Sequence, residues 1–346
     1  MTQSSGFAPE GQPAAAVAAR QHNNRGVLRQ LEGDLDTARA EYQAALEGDP
    51  SSATAHNNIG YLCAQAGQWQ EAISHYERAL ELDPQRSLAA VNLGVARAAT
   101  GDVPGGIAAL ERAVELDAAN VLAWDNLARL CLLAGRLDAA EAAWRGGLEF
   151  APDDARLVLG LGTTVATQQR VDEAVPLLRR AVALDPNSAS AWTQLGVVLF
   201  MRHDLGSAAD ALRRGLGLAP EDVSARHQLS MVLLARGERA AAAVELQRIL
   251  AIDPHHIPAR IDLAIHSLSQ GQLEQALSTL DTVLEQDAGN ERARFYRGVA
   301  LQLSGRAEEA RALLEELGTN GTSAYAGRAR EARSNGSVFD SQGPRS

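Results

Sequence analysis

Residues 53–86 read ATAHNNIGYLCAQAGQWQEAISHYERALELDPQR, two apolar-periodic segments divided by one glycine and closed by Asp-Pro. Ile59, Leu62, Ile73, Tyr76 and Leu80 recur at spacings of three, four and seven, which puts them on one side of a helix and does not suit a strand. Gly67 stands between the two segments, where a helix ends most readily in a left-handed residue. Asp83-Pro84 stops the second segment, because the residue before proline is pushed out of the helical region. Ser52 supplies a side-chain cap for the first. The stretch is therefore expected to be a helical hairpin.

The same marks repeat outward in both directions with a period of 34 residues. Pro50, Pro84, Pro152, Pro186, Pro220 and Pro254 are separated by 34 or a multiple of it, with Ala118 and Ala288 filling the missing steps. Registers starting at 19, 53, 87, 121, 155, 189, 223, 257 and 291 give nine units without insertion or deletion. Position eight of each unit is small: Gly26, Gly60, Gly94, Ala128, Gly162, Gly196, Ser230, Ala264 and Gly298. Position twenty is Ala in every unit except the third, which has Gly106. Small residues on both helices allow close approach of their backbones. Position fifteen is Gly in seven units, and Ser52, Asn120, Asp154, Ser188, Asp222 and Asn290 are expected caps of the first helices. One hairpin cannot bury both its faces, so neighbours must stack to make a core.

This pattern resembles the tetratricopeptide repeat, whose small-residue, Ala and terminal Pro positions match Gly60, Ala72, Ala79 and Pro84. The nine registers cover 306 of 346 residues. The resemblance implies an all-α fold, a right-handed α-solenoid of about nine 34-residue helix-turn-helix repeats. Residues 1–18 are expected to be a flexible leader, 19–322 the nine repeats, and 323–346 a short polar helix with a disordered tail. Four residues depart from the family pattern: Arg25 and Arg297 replace the first-helix leucine, Gln169 replaces the turn glycine, and Pro176 lies about one turn into a helix.

In that family the first helix of each unit lines a concave groove, and positions two, five, six, nine, twelve and thirteen look inward. The sixth positions are Asn24, Asn58, Asn92, Asn126, Gly160, Gln194, Gln228, Asp262 and Tyr296. Six of the nine are amides, although Asn and Gln make up 31 of 346 residues overall, so the recurrence is positional. A primary amide both donates and accepts, and so can pair with any peptide backbone. The arrangement resembles the asparagine ladder in the repeat region of O-linked N-acetylglucosamine transferase, which holds extended polypeptide. Tyr61, Arg129 and Met231 at position nine join these amides as the expected peptide-binding groove. An equal alternative stays open, in which the amides bond neighbouring helices and serve the scaffold. The carboxylate-clamp version of the family needs Lys and Asn at positions five and nine; here Asn23 and Val27, Asn57 and Tyr61, then Val91 and Val95 stand there, and the chain has no Lys.

Composition narrows the function. All 32 basic residues are Arg against 43 acidic ones, a net charge of -11, which argues against a phosphate-binding nucleic-acid surface. The two cysteines, Cys63 and Cys131, recur at position eleven two units apart, several helix layers from one another, and read as buried small hydrophobes in a reducing, cytoplasmic setting. His255 and His256 in one loop lack a third metal ligand. His22 and His56 stand at the large position four and read as packing or hydrogen-bonding residues. No nucleophile elbow, phosphate loop or zinc-protease motif occurs, and no apolar run reaches membrane-span length. The reading is a non-catalytic scaffold, adaptor or assembly factor for a protein or peptide partner, without cofactor, metal or nucleic acid. Two other readings remain: a self-associating array, forming a homo-oligomer, and an accessory subunit of a glycosyltransferase or secretion system. The absence of Lys and the abundance of Ala and Arg hint at a GC-rich bacterial genome.

Overall fold

A computed structural model describes residues 14–335, and those residues are helical hairpins joined by short turns. They divide into two compact units meeting at Leu184 and Asp185. The first unit holds α1 (Ala14–Leu31), α2 (Leu35–Gly48), α3 (Ala53–Gln65), α4 (Trp69–Leu82) and α5 (Ser87–Ala99). It continues with α6 (Val103–Leu116), α7 (Val121–Leu133), α8 (Leu137–Phe150), α9 (Ala155–Thr167) and α10 (Val171–Leu184). The second holds α11 (Ala189–Met201), α12 (Leu205–Leu218), α13 (Val223–Ala235), α14 (Arg239–Ile252) and α15 (Ile257–Ser269). It ends with α16 (Leu273–Gln286), α17 (Glu291–Leu303), α18 (Ala307–Asn320) and α19 (Ala324–Asn335). No strand occurs among the described residues.

Local chemistry sets each boundary. Ser52, Asn120, Asp154, Ser188, Asp222 and Asn290 all accept backbone N–H groups at the start of a first helix, and each such cap is worth about 1 kcal/mol. Asp34, Asp102 and Asp204 do the same for second helices. The seven turn glycines all have positive φ, and Gln169 and His203 take the same left-handed geometry at φ 64 and 63. The turn at Gln169 keeps the pattern of its glycine counterparts: Arg170 N donates to Val165 O at 3.1 Å as Gln68 N does to Cys63 O at 2.8 Å. Pro176 sits inside α10 without ending it.

Helix α1 begins at Ala14, inside the stretch 1–18 expected to be a leader. Alanine is the best helix former, and Ala15 and Ala19 close on Gly48, where an added Cβ would stand 3.2 Å from Ala19 Cβ and 3.3 Å from Ala15 O. Residues 1–13 of that leader and 336–346 of the expected tail lie outside the described residues.

Where position eight is glycine, it faces the residue at position twenty-four of the second helix. A Cβ on Gly60 would lie 2.8 Å from Tyr76, one on Gly94 2.6 Å from Leu110, and one on Gly196 2.6 Å from Leu212. Those partners are fully buried at 1%, 1% and 0% exposure. In the third repeat both small positions are glycine, and α5 and α6 meet backbone to backbone, with an added Cβ on Gly106 only 2.9 Å from Gly94 O.

Neighbouring repeats are joined at the carbonyl of position thirty-two, in the exposed turn between one repeat and the next. The donor is position four of the next repeat when that residue can reach. Trp124 Nε1 donates to Ala118 O at 2.8 Å, Trp192 Nε1 to Pro186 O at 2.9 Å, and Arg226 and Arg260 donate to Pro220 O and Pro254 O. Where position four is Ala90 or Val158, an arginine at position twenty-six takes over. Arg112 donates to Pro84 O at 2.9 Å and Arg180 to Pro152 O at 2.6 Å.

The two arginines that replace leucine at position seven each find a carboxylate. Arg25, in the first repeat and half exposed, bonds Glu41 at 3.1 Å, and His22 bonds the same carboxylate at 2.7 Å. Together these hold Glu41 below the usual carboxylate range, the His22 bond contributing most. Arg297 reaches back to Asp281 at 2.5 Å. At the other terminus α19 lies on Phe295, Val299, Leu314 and Leu317 through Ala326 and Ala329.

Candidate functional site

Positions two, six, nine and thirteen of a first helix form one i, i+4, i+7, i+11 stripe. Successive first helices touch one another, α3 with α5, α5 with α7, α11 with α13 and α15 with α17, so these stripes lie side by side on the inner surface of each unit. The expected groove residues all occupy them. Asn24 is exposed; Asn58, Asn92 and Asn126 in the first unit and Gln194 and Gln228 in the second are partly buried. Tyr61 and Met231 are 40% and 36% exposed. The Arg129 guanidinium is solvent-facing and held by Asp125 through two bonds of 3.0 Å.

The amides fall into two groups. In repeats 1–3 they bond one another across the repeat boundary. Asn92 Nδ2 donates to Asn57 Oδ1 at 3.1 Å, Asn57 Nδ2 to Asn58 Oδ1 at 3.4 Å, and Asn58 Nδ2 to Asn23 Oδ1 at 3.0 Å. The relay links position six of one repeat to position five of the repeat before it. Asn126, Gln194 and Gln228 make no such bond among the described residues, which leaves both halves of each amide for another partner.

The run of amides stops at Gly160 for a visible reason. Trp144, 2% exposed, fills the space where a side chain would stand, and a Cβ on Gly160 would lie 2.5 Å from its ring. The indole is pinned there by Nε1 donating to Thr164 Oγ1 at 3.0 Å, and Thr164 donates on to Gly160 O at 2.8 Å. With no side chain at Gly160 to meet it, Asp125 at position five turns to Arg129 instead.

Positions five and six are tied again in the second unit, but with charge. Asp262 is buried and accepts from His227 Nε2 at 3.1 Å and from Arg292, one repeat to either side. His256 stands edge-on to His227 at 5.5 Å. Burial holds the His256 imidazole below its ordinary range. In the first unit burial does the same to His56 and His75, whose Nδ1 atoms face one another at 3.0 Å.

Cys63 and Cys131 are both buried free thiols, pushed up in pKa by burial, which disfavours the reactive thiolate. No group of three or more His, Cys, Asp or Glu converges on a metal-sized space among the described residues, and no described helix is long and apolar enough to cross a membrane.

A family model described as the cilia and flagella-associated protein 70 C-terminal domain matches residues 2–231, more than half of the chain. A second, described as tetratricopeptide repeat, matches residues 233–294 and 267–330. The chain belongs to the tetratricopeptide-repeat family. Its residues 2–231 fall in the branch that the first model describes. No curated protein matches the sequence. Among solved structures, the APC/C hetero-tetramer Cut9-Hcn1 is similar at a TM-score of 0.54 and 16% identity, covering 82% of this chain and 55% of that one. The pilF protein of Pseudomonas aeruginosa is similar at 0.53 and 18%, covering 60% of this chain and 95% of that one. YrrB, described as a TPR protein with an unusual peptide-binding site, gives 0.46 and 21%, covering 53% and 95%. These likenesses concern the fold, which in this family is generally a non-catalytic scaffold for protein interaction.

Proposed function

We propose that this tetratricopeptide-repeat protein is a non-catalytic scaffold that holds a partner polypeptide against the inner stripes of its first helices. The observation that carries the reading is the set of unpartnered, half-accessible amides Asn126, Gln194 and Gln228. An amide whose donor and acceptor are both unused suits a peptide backbone whatever side chains that peptide has. Asn58 and Asn92, spent on one another's neighbours, keep adjacent first helices in register and shape the surface. Tyr61, Arg129 and Met231 line the same stripes. The buried, unpaired thiols Cys63 and Cys131 suit a reducing compartment such as the cytoplasm.

The test is a variant carrying Asn126→Ala, Gln194→Ala and Gln228→Ala, none of which removes an internal bond. Its helix content and melting temperature should match the wild type, and tagged variant should fail to recover a partner that tagged wild type recovers from the source cells. Retention of the same partner at the same yield overturns the reading.

Self-association is the second reading, favoured by one observation at the N-terminal repeat. Leu28 is 59% exposed, whereas its position-ten counterparts Leu62, Leu130 and Val232 are 4%, 6% and 0% exposed. Sedimentation over a wide concentration range tests it: a constant monomer mass excludes it, and a rising mass abolished by Leu28→Glu supports it.

A further inference from the structure

The inner surface of repeats 2–4 is nearly without formal charge, on a chain that is 22% charged with a net charge of -11. On its stripes the partly buried amides Asn58, Asn92 and Asn126 alternate with exposed apolar residues. Leu88, Leu122 and Leu133 are 51%, 52% and 72% exposed, and Tyr61 and Val95 are each 40% exposed. Two cations reach these stripes and both are matched: Arg129 by Asp125 on its own helix, and Arg86, which donates to Thr54 at 2.7 Å, by Asp83. Position two is Thr54, Leu88 and Leu122 in repeats 2–4, with Arg20 and Arg156 in the repeats on either side, and Ser190, Ser224, Pro258 and Arg292 in the second unit. A concentration of apolar groups on one surface of a soluble chain marks an interaction site.

We infer that the inner surface of repeats 2–4 selects an uncharged, apolar segment of a partner polypeptide, bound in extended form. This rests on the reading that the first helices hold the partner. The absence of unmatched charge leaves nothing to compensate an Asp, Glu, Lys or Arg carried into the site, and desolvating one without a partner is unfavourable. The extended form follows from Asn126. A helical ligand has spent its backbone N–H and C=O groups internally, while an extended one presents both, and a free amide is complementary to that pair. Apolar side chains of the segment then fall on Leu88, Leu122 and Leu133 on either side of the amide row. Trp144 closes the track at the fifth repeat, because the amide step at Gly160 is filled.

The experiment uses the full chain and three labelled synthetic peptides of equal length. One is built of Leu, Val, Ser and Thr; in the second Asp and Glu replace the hydroxyl residues; in the third Arg does. Binding is read by fluorescence anisotropy at low and high salt. The expected result is that the neutral peptide binds best, with an affinity that changes less than about twofold with salt, since no ion pair is screened. Leu122→Asp should weaken it about tenfold or more, and Leu133→Asp should do so independently, both at unchanged helix content because both side chains are already exposed.

Tightest binding of the acidic or basic peptide, lost at high salt, overturns the inference. If Asn126→Ala weakens that charged peptide too, the first-helix reading survives without it. Binding of the neutral peptide that ignores Leu122→Asp, Leu133→Asp and Asn126→Ala alike overturns both. Failure of all three peptides, with a cellular partner still lost from the triple amide variant, overturns the inference alone.

Discussion

Repeats 1–3 and repeats 7–9 use the same two positions to tie first helices together, and use them with opposite chemistry. In the first region Asn23 meets Asn58 and Asn57 meets Asn92, amide against amide. In the second His227 meets Asp262, which also takes Arg292. The sequence separation is 35 in each of the three pairs, one repeat plus one residue. The same diagonal therefore serves as a junction in both regions, filled by amides in one and by charged groups in the other. What differs is the surface each tie leaves behind: the neutral tie leaves an uncharged track, and the charged tie concentrates a carboxylate and two bases on the inner side.

The difference is broken most severely at Asp262. Replacing it by Ala leaves Arg292 and His227, both partly exposed, without their shared carboxylate, and loss of hydrogen bonds to a charged group costs about 2–3 kcal/mol. The denaturant midpoint should fall steeply, and a loss no larger than that of an amide variant would show that the charged tie has no special weight. Asn57→Ala or Asn92→Ala should each cost about 1 kcal/mol, the net worth of a neutral hydrogen bond. A double-mutant cycle on that pair should return a coupling of similar size, and strict additivity would remove the relay from the account.

Gln169→Gly acts between the two regions and in the other direction. A non-glycine residue at positive φ is strained by about 1 kcal/mol, so the variant should melt a few degrees higher, with His203→Gly behaving alike; a lower melting temperature would show that Gln169 is held by contacts worth more than the strain.

The smallest effect is one of pH. Bonds from the Ser323 hydroxyl and the Thr322 and Ser323 backbone N–H groups hold the Glu291 carboxyl down to about 2, from an ordinary 4.5. A lowered pKa stabilises the folded form above the ordinary value and loses that contribution as pH falls toward the folded one. Amide protection in α19 should therefore decline between pH 4.5 and 2, while the amide relay contributes nothing that titrates. Glu291→Gln should flatten that decline, and an unchanged profile would refute the docking role of Glu291.

The fold was legible because its determinants are local. Gly60, Gly67, Ala72 and Pro84 each dictate one close approach, turn or stop within their own 34 residues, and the six side-chain caps expected from Ser, Asn and Asp all accept the bonds foreseen. The amide row was legible as a recurrence, but its division was not. Whether Asn58 is spent or free depends on Asn23, in another repeat and at a different position, and periodicity compares like positions only. The diagonal alone would not have divided them: position five of one repeat and position six of the next are polar together at Asn23 and Asn58, at Asn57 and Asn92, and at His227 and Asp262, but also at Thr193 and Gln228, which do not bond one another. Gly160 read as a missing amide, and its cause lay sixteen residues earlier in an indole whose direction no linear pattern reveals.

The two kinds of junction differ in how they would survive loss or copying of a whole repeat. From Pro84 to Pro254 the carbonyl at position thirty-two is served by the repeat that follows it, through Trp, Arg or, failing those, the arginine of the second helix. Repeats 3–8 each bring their own donor, so any of these could be duplicated, and any of repeats 2–7 excised, without orphaning that carbonyl. The tie at positions five and six is keyed on both sides. Excising repeat 2 would set Asn92 against Asn23 and restore an amide pair, whereas excising repeat 8 would set Tyr296 against His227 and leave Arg292 without its carboxylate. Lengthening or shortening of the array is thus open near the amino terminus and closed near the other.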